Sequence, residues 1–96
     1  MTDIAKRGSG NEDVAIAALG FIAADPELLP RFLDLSGIDA SAIRRAAAEP
    51  GFLAGVLDFV LAHEPTLLRF CQEAEIAPEH VARARRALGG FDESHY

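Results

Sequence analysis

The sequence has no tryptophan and only one cysteine, one methionine and one tyrosine. Because Cys71 is alone, the chain has no intrachain disulfide framework and no cysteine-based metal site. Its place in an apolar stretch predicts a small, buried side chain. This cysteine usage fits a reducing compartment, and we expect a cytoplasmic protein.

Long hydrophobic runs are also missing. The longest charge-free apolar stretch, residues 14–24, is shorter than the roughly 20 residues that a membrane-spanning helix needs. Lys6 and Arg7 precede this stretch, as they would in a signal peptide. However, Glu12 and Asp13 stand directly before it, where a signal peptide keeps positive charge. Neither a membrane anchor nor a secretory signal is predicted.

Basic residues are fewer than acidic ones. Nine lysines and arginines face 15 acidic residues, giving a net charge of −6 and a pI of about 4.9. Polyanion-binding proteins usually carry a basic surface, so the net negative charge disfavours binding to nucleic acid. It does not exclude a local basic patch. The 96 residues, half of them hydrophobic, predict one folded domain that is too small for a deep inter-domain cleft.

Strand signals are scarce, and helix signals are frequent. Alternation with period two is absent, while alanine and leucine dominate. Prolines suited to first helical turns recur at positions 26, 50, 65 and 78, and Gly37 and Gly89 each follow an apolar segment as stop signals. Pro30 predicts a short turn at 26–29 followed by a fresh or kinked start. These signals predict helices over residues 11–24, 26–36, 39–48, 50–63, 65–75 and 78–88.

The predicted fold is all-α: a compact bundle of five to six short helices, with two αα-hairpins around a buried central helix. The fourth helix is apolar nearly all round and the first is similar, so we expect these two at the centre. A strip of small residues on the fourth helix, including Gly51 and Gly55, is expected to let a neighbour approach closely. A partial repeat supports the hairpins, because residues 25–46 align with 64–84 and place Phe32 on Phe70, Ile38 on Ile76 and Ile43 on Val81. Residues 11–88 form the predicted domain, between a flexible lead (1–10) and a flexible tail (89–96).

No catalytic constellation is visible. His63, His80 and His95 show no metal-ligand spacing, and no glycine-rich loop follows a strand. We therefore predict no catalytic, metal or cofactor-binding residues and no enzyme activity, and no small-molecule ligand is evident. His63 is expected to end the fourth helix, where a cation suits the dipole, and Asp58 to mark a solvent edge. Helical ion pairs are predicted at Glu27–Arg31 and Glu79–Arg83.

One segment resembles a helix-turn-helix. Residues 33–45 combine a helix, a turn with Gly37 and Ile38, and a second helix that carries Arg44 and Arg45. A plain αα-hairpin is the alternative, and we favour it because Asp39 would face phosphates.

A second basic feature is the cluster of Arg83, Arg85 and Arg86, with His80 one turn earlier. This cluster could bind phosphate or an acidic partner. Alternatively, arginines in the last turns of a helix simply suit its dipole, which is the reading we favour. The candidate partner or phosphate contacts are thus Arg44, Arg45, His80, Arg83, Arg85 and Arg86.

Several separated blocks resemble a known family. They are residues 18–27, Arg31-Phe32-Leu33 with Ser36-Gly37-Ile38, and the later blocks at 52–59, Phe70-Cys71 and 78–85. Together they resemble a family of short bacterial proteins described as domain of unknown function 3572, over roughly residues 12–90. The resemblance implies a stand-alone bacterial helical domain and assigns no activity.

The leading functional hypothesis is a non-enzymatic protein–protein interaction module, which binds another protein or itself through a helical face. Leu28, Leu35, Phe91 and Tyr96 are candidates for its surface. The alternative is a helix-turn-helix-like DNA-binding protein, and an enzyme is a more distant third.

Overall fold

The computed structural model describes residues 10–89, and every regular element in that range is helical. The predicted all-α fold is therefore confirmed. The predicted lead and tail lie outside the described residues, apart from Gly10 and Gly89 at their edges. The elements are α1 (Asn11–Ala23), α2 (Leu28–Ser36), a 3₁₀ turn (Ala40–Ala42), α3 (Ile43–Ala46), α4 (Pro50–Leu61), α5 (Glu64–Ala74) and α6 (Pro78–Gly89).

The turn between α1 and α2 is fixed by Asp25. Its Oδ1 accepts hydrogen bonds from the backbone N–H groups of Glu27, at 2.8 Å, and Leu28, at 3.1 Å. This bonding supplies partners for N–H groups that a starting helix leaves unsatisfied. α2 consequently begins at Leu28, and Pro30 falls within its first turn, where a missing N–H costs nothing. The predicted short turn and fresh start are present, but the turn covers residues 26–27 instead of 26–29, so the helix begins two residues before Pro30.

The predicted helix over residues 39–48 is wrong in its extent. The structure has a 3₁₀ turn over Ala40–Ala42 and a single α-helical turn over Ile43–Ala46. Glu49 precedes Pro50, and the proline ring forces it into an extended conformation with φ −104° and ψ 128°. Asp39 makes no side-chain capping bond at the other end. The segment is thus shortened from both sides.

Three helices form the core. α1, α4 and α6 pack against one another most extensively, with α5 on α4 and α2 on α1. The central role of α1 and α4 is confirmed, but α6 was expected to be a peripheral amphipathic helix. It contributes Val81 and Ala84, both fully buried. The core consists of Val14, Ala15, Ala18, Leu19, Ile22, Leu28, Phe32, Leu53, Val56, Leu57, Val60, Phe70, Cys71, Val81 and Ala84.

The small-residue strip of α4 was expected to receive a neighbouring helix, and within residues 10–89 it does not. Gly51 and Gly55 are exposed, and a Cβ added at either would meet nothing within 4 Å. Only Ala54 of this strip is buried. The strip faces open space because the neighbours of α4 pack on its larger apolar side chains.

The partial repeat is visible in the first half of each unit. Phe32 and Phe70 are both buried, and both helices end on a left-handed residue: Gly37 with φ 77°, and Glu75 with φ 58°. The second halves differ, because the first repeat continues into the short α3 and the second into the 12-residue α6.

In the described part of the chain, no single helix is long and apolar enough to cross a membrane. Residues Gly51–Leu61 and Glu64–Ala74 pass that test only as a pair, and they are bent by 110° at the break between them.

Candidate functional site

An open apolar groove of about 430 Å³ lies between α2 and α4. We call it the α2–α4 groove. Apart from Ser36 and Asp58 it is lined by apolar side chains and glycine backbone: Phe32, Leu35, Ser36, Gly51, Phe52, Gly55, Asp58, Phe59 and Ala62.

Aromatic side chains build the walls. The buried Phe32 of α2 meets two rings of α4 edge-on, Phe52 with centroids 5.7 Å apart and Phe59 with centroids 5.4 Å apart. Edge-to-face contacts of this kind are favourable beyond the area they bury, so they fix α2 relative to α4. Gly51 and Gly55 then leave space between the walls where side chains would otherwise project.

Leu35 forms the outer rim of the groove. It is 75% exposed, the most exposed of the large hydrophobic residues described. Leu35, Phe59 and Ala62 also line an adjoining hollow of about 190 Å³, where they are joined by Leu28, Arg31, His63 and Thr66. The apolar surface therefore continues past Leu35 toward the start of α5.

His63 helps to shape that second hollow. It was expected to end α4, but α4 ends at Leu61, and His63 is the residue that precedes the first turn of α5. Its Nδ1 lies 2.8 Å from the hydroxyl of the buried Thr66, and the two form a hydrogen bond. His63 therefore satisfies a buried hydroxyl at the beginning of a helix.

A charged pair stands on the α6 side of the groove. Arg85 Nε donates to Asp58 Oδ1 at 2.6 Å, and Asp58 is one of the groove-lining residues. The expectation that Asp58 marks a solvent edge is confirmed, since its side chain is 56% exposed. The contact places α6 directly beside the groove.

The two helical ion pairs predicted from the sequence are not formed. Within residues 10–89 the pairs are Asp58–Arg85 and Asp25–Arg69, so neither Glu27–Arg31 nor Glu79–Arg83 is among them. Arg69 Nη2 donates to Asp25 Oδ2 at 3.0 Å, and its guanidinium carbon lies 5.3 Å from the Phe21 ring centroid. Both of these pairs join residues far apart in the sequence, and neither uses any of the four residues that were predicted to pair.

The pKa values of Asp25 and Cys71 are shifted. The pKa of Asp25 is lowered, first by the hydrogen bond from the Glu27 N–H and then by that from Arg69. Burial raises the pKa of the Cys71 thiol, with a smaller contribution from the negative charge of Glu79. Both residues lie outside the α2–α4 groove, and their contacts are structural.

The predicted basic contacts do not converge on the groove. Arg44 and Arg45 are exposed on the single turn of α3, while Arg83 and Arg86 are exposed on α6 and His80 is half-buried there. One of the six, Arg85, hydrogen-bonds to a groove-lining side chain, that of Asp58. In the described range, no three His, Cys, Asp or Glu side chains are grouped closely enough to hold a metal ion.

The sequence itself matches a family model described as "Protein of unknown function (DUF3572)" over residues 9–91. The chain belongs to this family. The match covers all the described helices, and it confirms the resemblance found in the separated sequence blocks. Membership in DUF3572 assigns no activity to the groove. Neither the curated proteins nor the solved structures include a significant match.

The groove is the feature that sequence reasoning missed. The fourth helix was predicted to be buried nearly all round, and its glycines were predicted to form a contact with a neighbouring helix. A signal was present, because Gly55 stands inside a predicted helix, one turn after Gly51, and a glycine there weakens the helix unless its missing side chain serves a purpose. The pattern could not indicate whether that purpose lay inside the fold or at its surface.

Proposed function

We propose that this protein is a non-enzymatic interaction module that binds an apolar-faced helical segment of another protein in the α2–α4 groove. The observation that carries the proposal is the groove itself, with aromatic walls and exposed glycines that no contact within the described fold requires. Glycine in a helix interior costs roughly 0.5–1 kcal/mol relative to alanine. Space kept open at such a cost suits an incoming helix, whose backbone can approach closely over Gly51 and Gly55.

The occupant's chemistry follows from the groove and the net charge. Phe52, Phe59 and Leu35 offer apolar contacts on either side of a glycine floor, so the partner presents apolar side chains about one helical turn apart. The whole chain carries a net charge of −6, and complementary charge accelerates association and discourages wrong partners. We therefore expect lysine or arginine beside the partner's apolar residues.

Photo-crosslinking in the cells that express the protein tests the proposal. A photoreactive amino acid replaces Leu35 at the rim, and in a second variant it replaces Ile16, a half-exposed apolar residue of α1 that does not line the groove. The expected result is a crosslinked partner at position 35 and none at position 16. Mass spectrometry identifies the crosslinked segment, and calorimetry with the purified segment measures its affinity.

Two glycine variants give a matched control. Gly55→Leu fills the groove, while Gly20→Leu places the same side chain on another exposed helical glycine with nothing within 4 Å. Crosslinking and affinity should be lost with Gly55→Leu and retained with Gly20→Leu. Equal behaviour of the two variants would refute the groove as the binding site. A crosslinked species of twice the chain's own mass would point to self-association instead.

The DNA-binding alternative remains a prediction that no observation favours. The helix it would place in the major groove, α3, is only four residues long. Its arginines, Arg44 and Arg45, lie on a domain with net negative charge.

A further inference from the structure

We propose that the helical segment bound in the α2–α4 groove carries an aspartate or glutamate about two helical turns from the apolar residue that it places over Gly55, and that this carboxylate pairs with Arg31. The inference rests on the proposed function and deepens it, because it names the residue that sets the direction of the segment. The pairing takes place at the smaller hollow that adjoins the groove near the start of α5.

The groove and the hollow form one continuous apolar surface. Leu35, Phe59 and Ala62 line both of them. Gly55 lies in the groove, and Ala62 follows the end of α4 seven residues later, which corresponds to about 10 Å along a helix axis. A helical segment that runs along α4 therefore reaches the hollow about two turns after it passes Gly55.

Arg31 carries a charge that the described residues leave unpaired. It lines the hollow from α2, and neither Glu27 nor any other carboxylate of residues 10–89 forms an ion pair or a hydrogen bond with it. The negative charge in the groove is that of Asp58, and it is already neutralised by Arg85 at 2.6 Å. The surface is consequently positive at the hollow, although the whole chain is acidic.

A carboxylate is the group that suits this position. The planar fork of an arginine matches a carboxylate through two parallel hydrogen bonds, and a segment that covers the hollow strengthens their attraction by displacing water. A lysine or arginine at the same place would meet Arg31 as a like charge. The preference for a basic partner is thus reversed at one position. In the opposite direction the carboxylate would lie near Gly51, and the described lining of the groove includes no basic side chain there.

Selection from a displayed peptide library tests the pairing without knowledge of the cellular partner. The library presents helix-forming peptides of roughly 15–20 residues, and it is selected on the immobilised full chain. Peptides are kept as groove binders only if Gly55→Leu abolishes their binding, because that variant fills the groove. The expected result is an acidic residue enriched about two turns from an apolar one. Selection on Arg31→Glu should enrich lysine or arginine at the same position.

Affinity measurements with one selected peptide isolate the effect of the charge. Arg31→Met keeps an unbranched apolar stem and removes the charge, and it should weaken binding by about three- to fivefold, as expected for one partly exposed ion pair. Changing the acidic residue of the peptide to its amide should weaken binding to the wild type equally and leave binding to Arg31→Met unchanged. Arg83→Met is the matched control and should bind like the wild type, because Arg83 is exposed on α6 and lines neither the groove nor the hollow.

The inference and the proposed function fail separately. Groove binders without an acidic preference would overturn the inference, and so would an amide effect of equal size in the wild type and in Arg31→Met. Both results would leave helix binding in the groove intact. A selection without any binder sensitive to Gly55→Leu would overturn the inference as well. If acidic groove binders are selected but no cellular partner is crosslinked at Leu35, the pairing with Arg31 stands and the proposed function falls.

Discussion

Gly37 and Glu75 hold the same backbone conformation at the ends of two helices. Both have positive φ, and each donates its N–H back into the preceding helix, Gly37 to Leu33 and Glu75 to Cys71. Glycine adopts this conformation without a Cβ clash, whereas other L-residues pay roughly 1–2 kcal/mol. The repeat thus has a suitable residue at one helix end and a strained one at the other.

Replacing Glu75 by glycine should stabilise the domain by about 0.5–1 kcal/mol, because relief of the left-handed strain exceeds the added entropy of the unfolded chain. Gly37→Ala should destabilise it by about 1 kcal/mol for the opposite reason. Urea denaturation monitored by circular dichroism measures both. Glu75→Ala is the control, since it removes the same charge and keeps the strain. An equal gain from Glu75→Ala and Glu75→Gly would assign the effect to charge alone.

The carboxyl group of Asp25 makes the stability of the domain depend on pH. Its pKa is lowered from the ordinary value of 3.8 by the N–H of Glu27 and by Arg69, both of which favour the carboxylate. A lowered folded-state pKa means that the unfolded chain binds this proton more readily. The ionised Asp25 carboxylate therefore contributes fully to stability at pH values above its ordinary pKa. This contribution is lost as the pH falls through the lower pKa of the folded state.

The stability of Asp25→Asn should accordingly decrease less than that of the wild type between about pH 4 and pH 2. Asparagine can still accept the two backbone hydrogen bonds, so the difference reports on the charge and its bond to Arg69. Thermal unfolding at a series of pH values measures the slope. If Asp25→Asn has the same slope as the wild type, Asp25 is not responsible.

At the scale of elements, local sequence signals predicted where the helices begin better than they predicted which helices contact one another. Prolines mark the starts of α4 and α6 correctly, and Pro65 lies in the first turn of α5. The 39–48 helix failed because the extended residue before Pro50 shortened a segment that had no effective cap. The partners of Asp58 and Arg69 could not be predicted, since each contact joins residues far apart in sequence. The α2–α4 groove was missed for the same reason.

The helix glycines allow an element-scale prediction. Gly20→Ala and Gly55→Ala should each stabilise the domain by about 0.5–1 kcal/mol, because alanine favours helix and nothing lies within 4 Å of the new Cβ. Chemical denaturation of the two variants and the wild type measures the gain. If either variant has a lower denaturation midpoint than the wild type, other atoms occupy the space beside that glycine.

At the scale of the whole molecule, a small domain divides its large apolar residues sharply between core and surface. Leu57 and Val60 of α4 are fully buried, whereas Leu35 of α2 is 75% exposed. Buried side chains contribute to stability through apolar burial and close packing, and an exposed one contributes little. The amphipathic pattern predicted most of this division. It failed for α6, whose abundant arginines concealed a central position.

Leu57→Ala should cost about 2–5 kcal/mol of folding free energy, because it removes buried methyl groups and leaves a cavity. Leu35→Ala should change stability by no more than about 0.5 kcal/mol, as expected for an exposed site. Equilibrium unfolding in urea checks both. A cost above about 1 kcal/mol for Leu35→Ala would show that Leu35 is packed, and its role as a free rim would be wrong.

Because Cys71 is buried, the rate at which its thiol is modified reports how often the domain opens. The side chain is 8% exposed and its pKa is raised, so the native state presents little thiolate to a reagent such as a disulfide dye. We therefore expect the thiol to react mainly after α5 has separated from the core. The rate of thiol modification at saturating reagent thus measures how often that separation occurs, without any label or substitution.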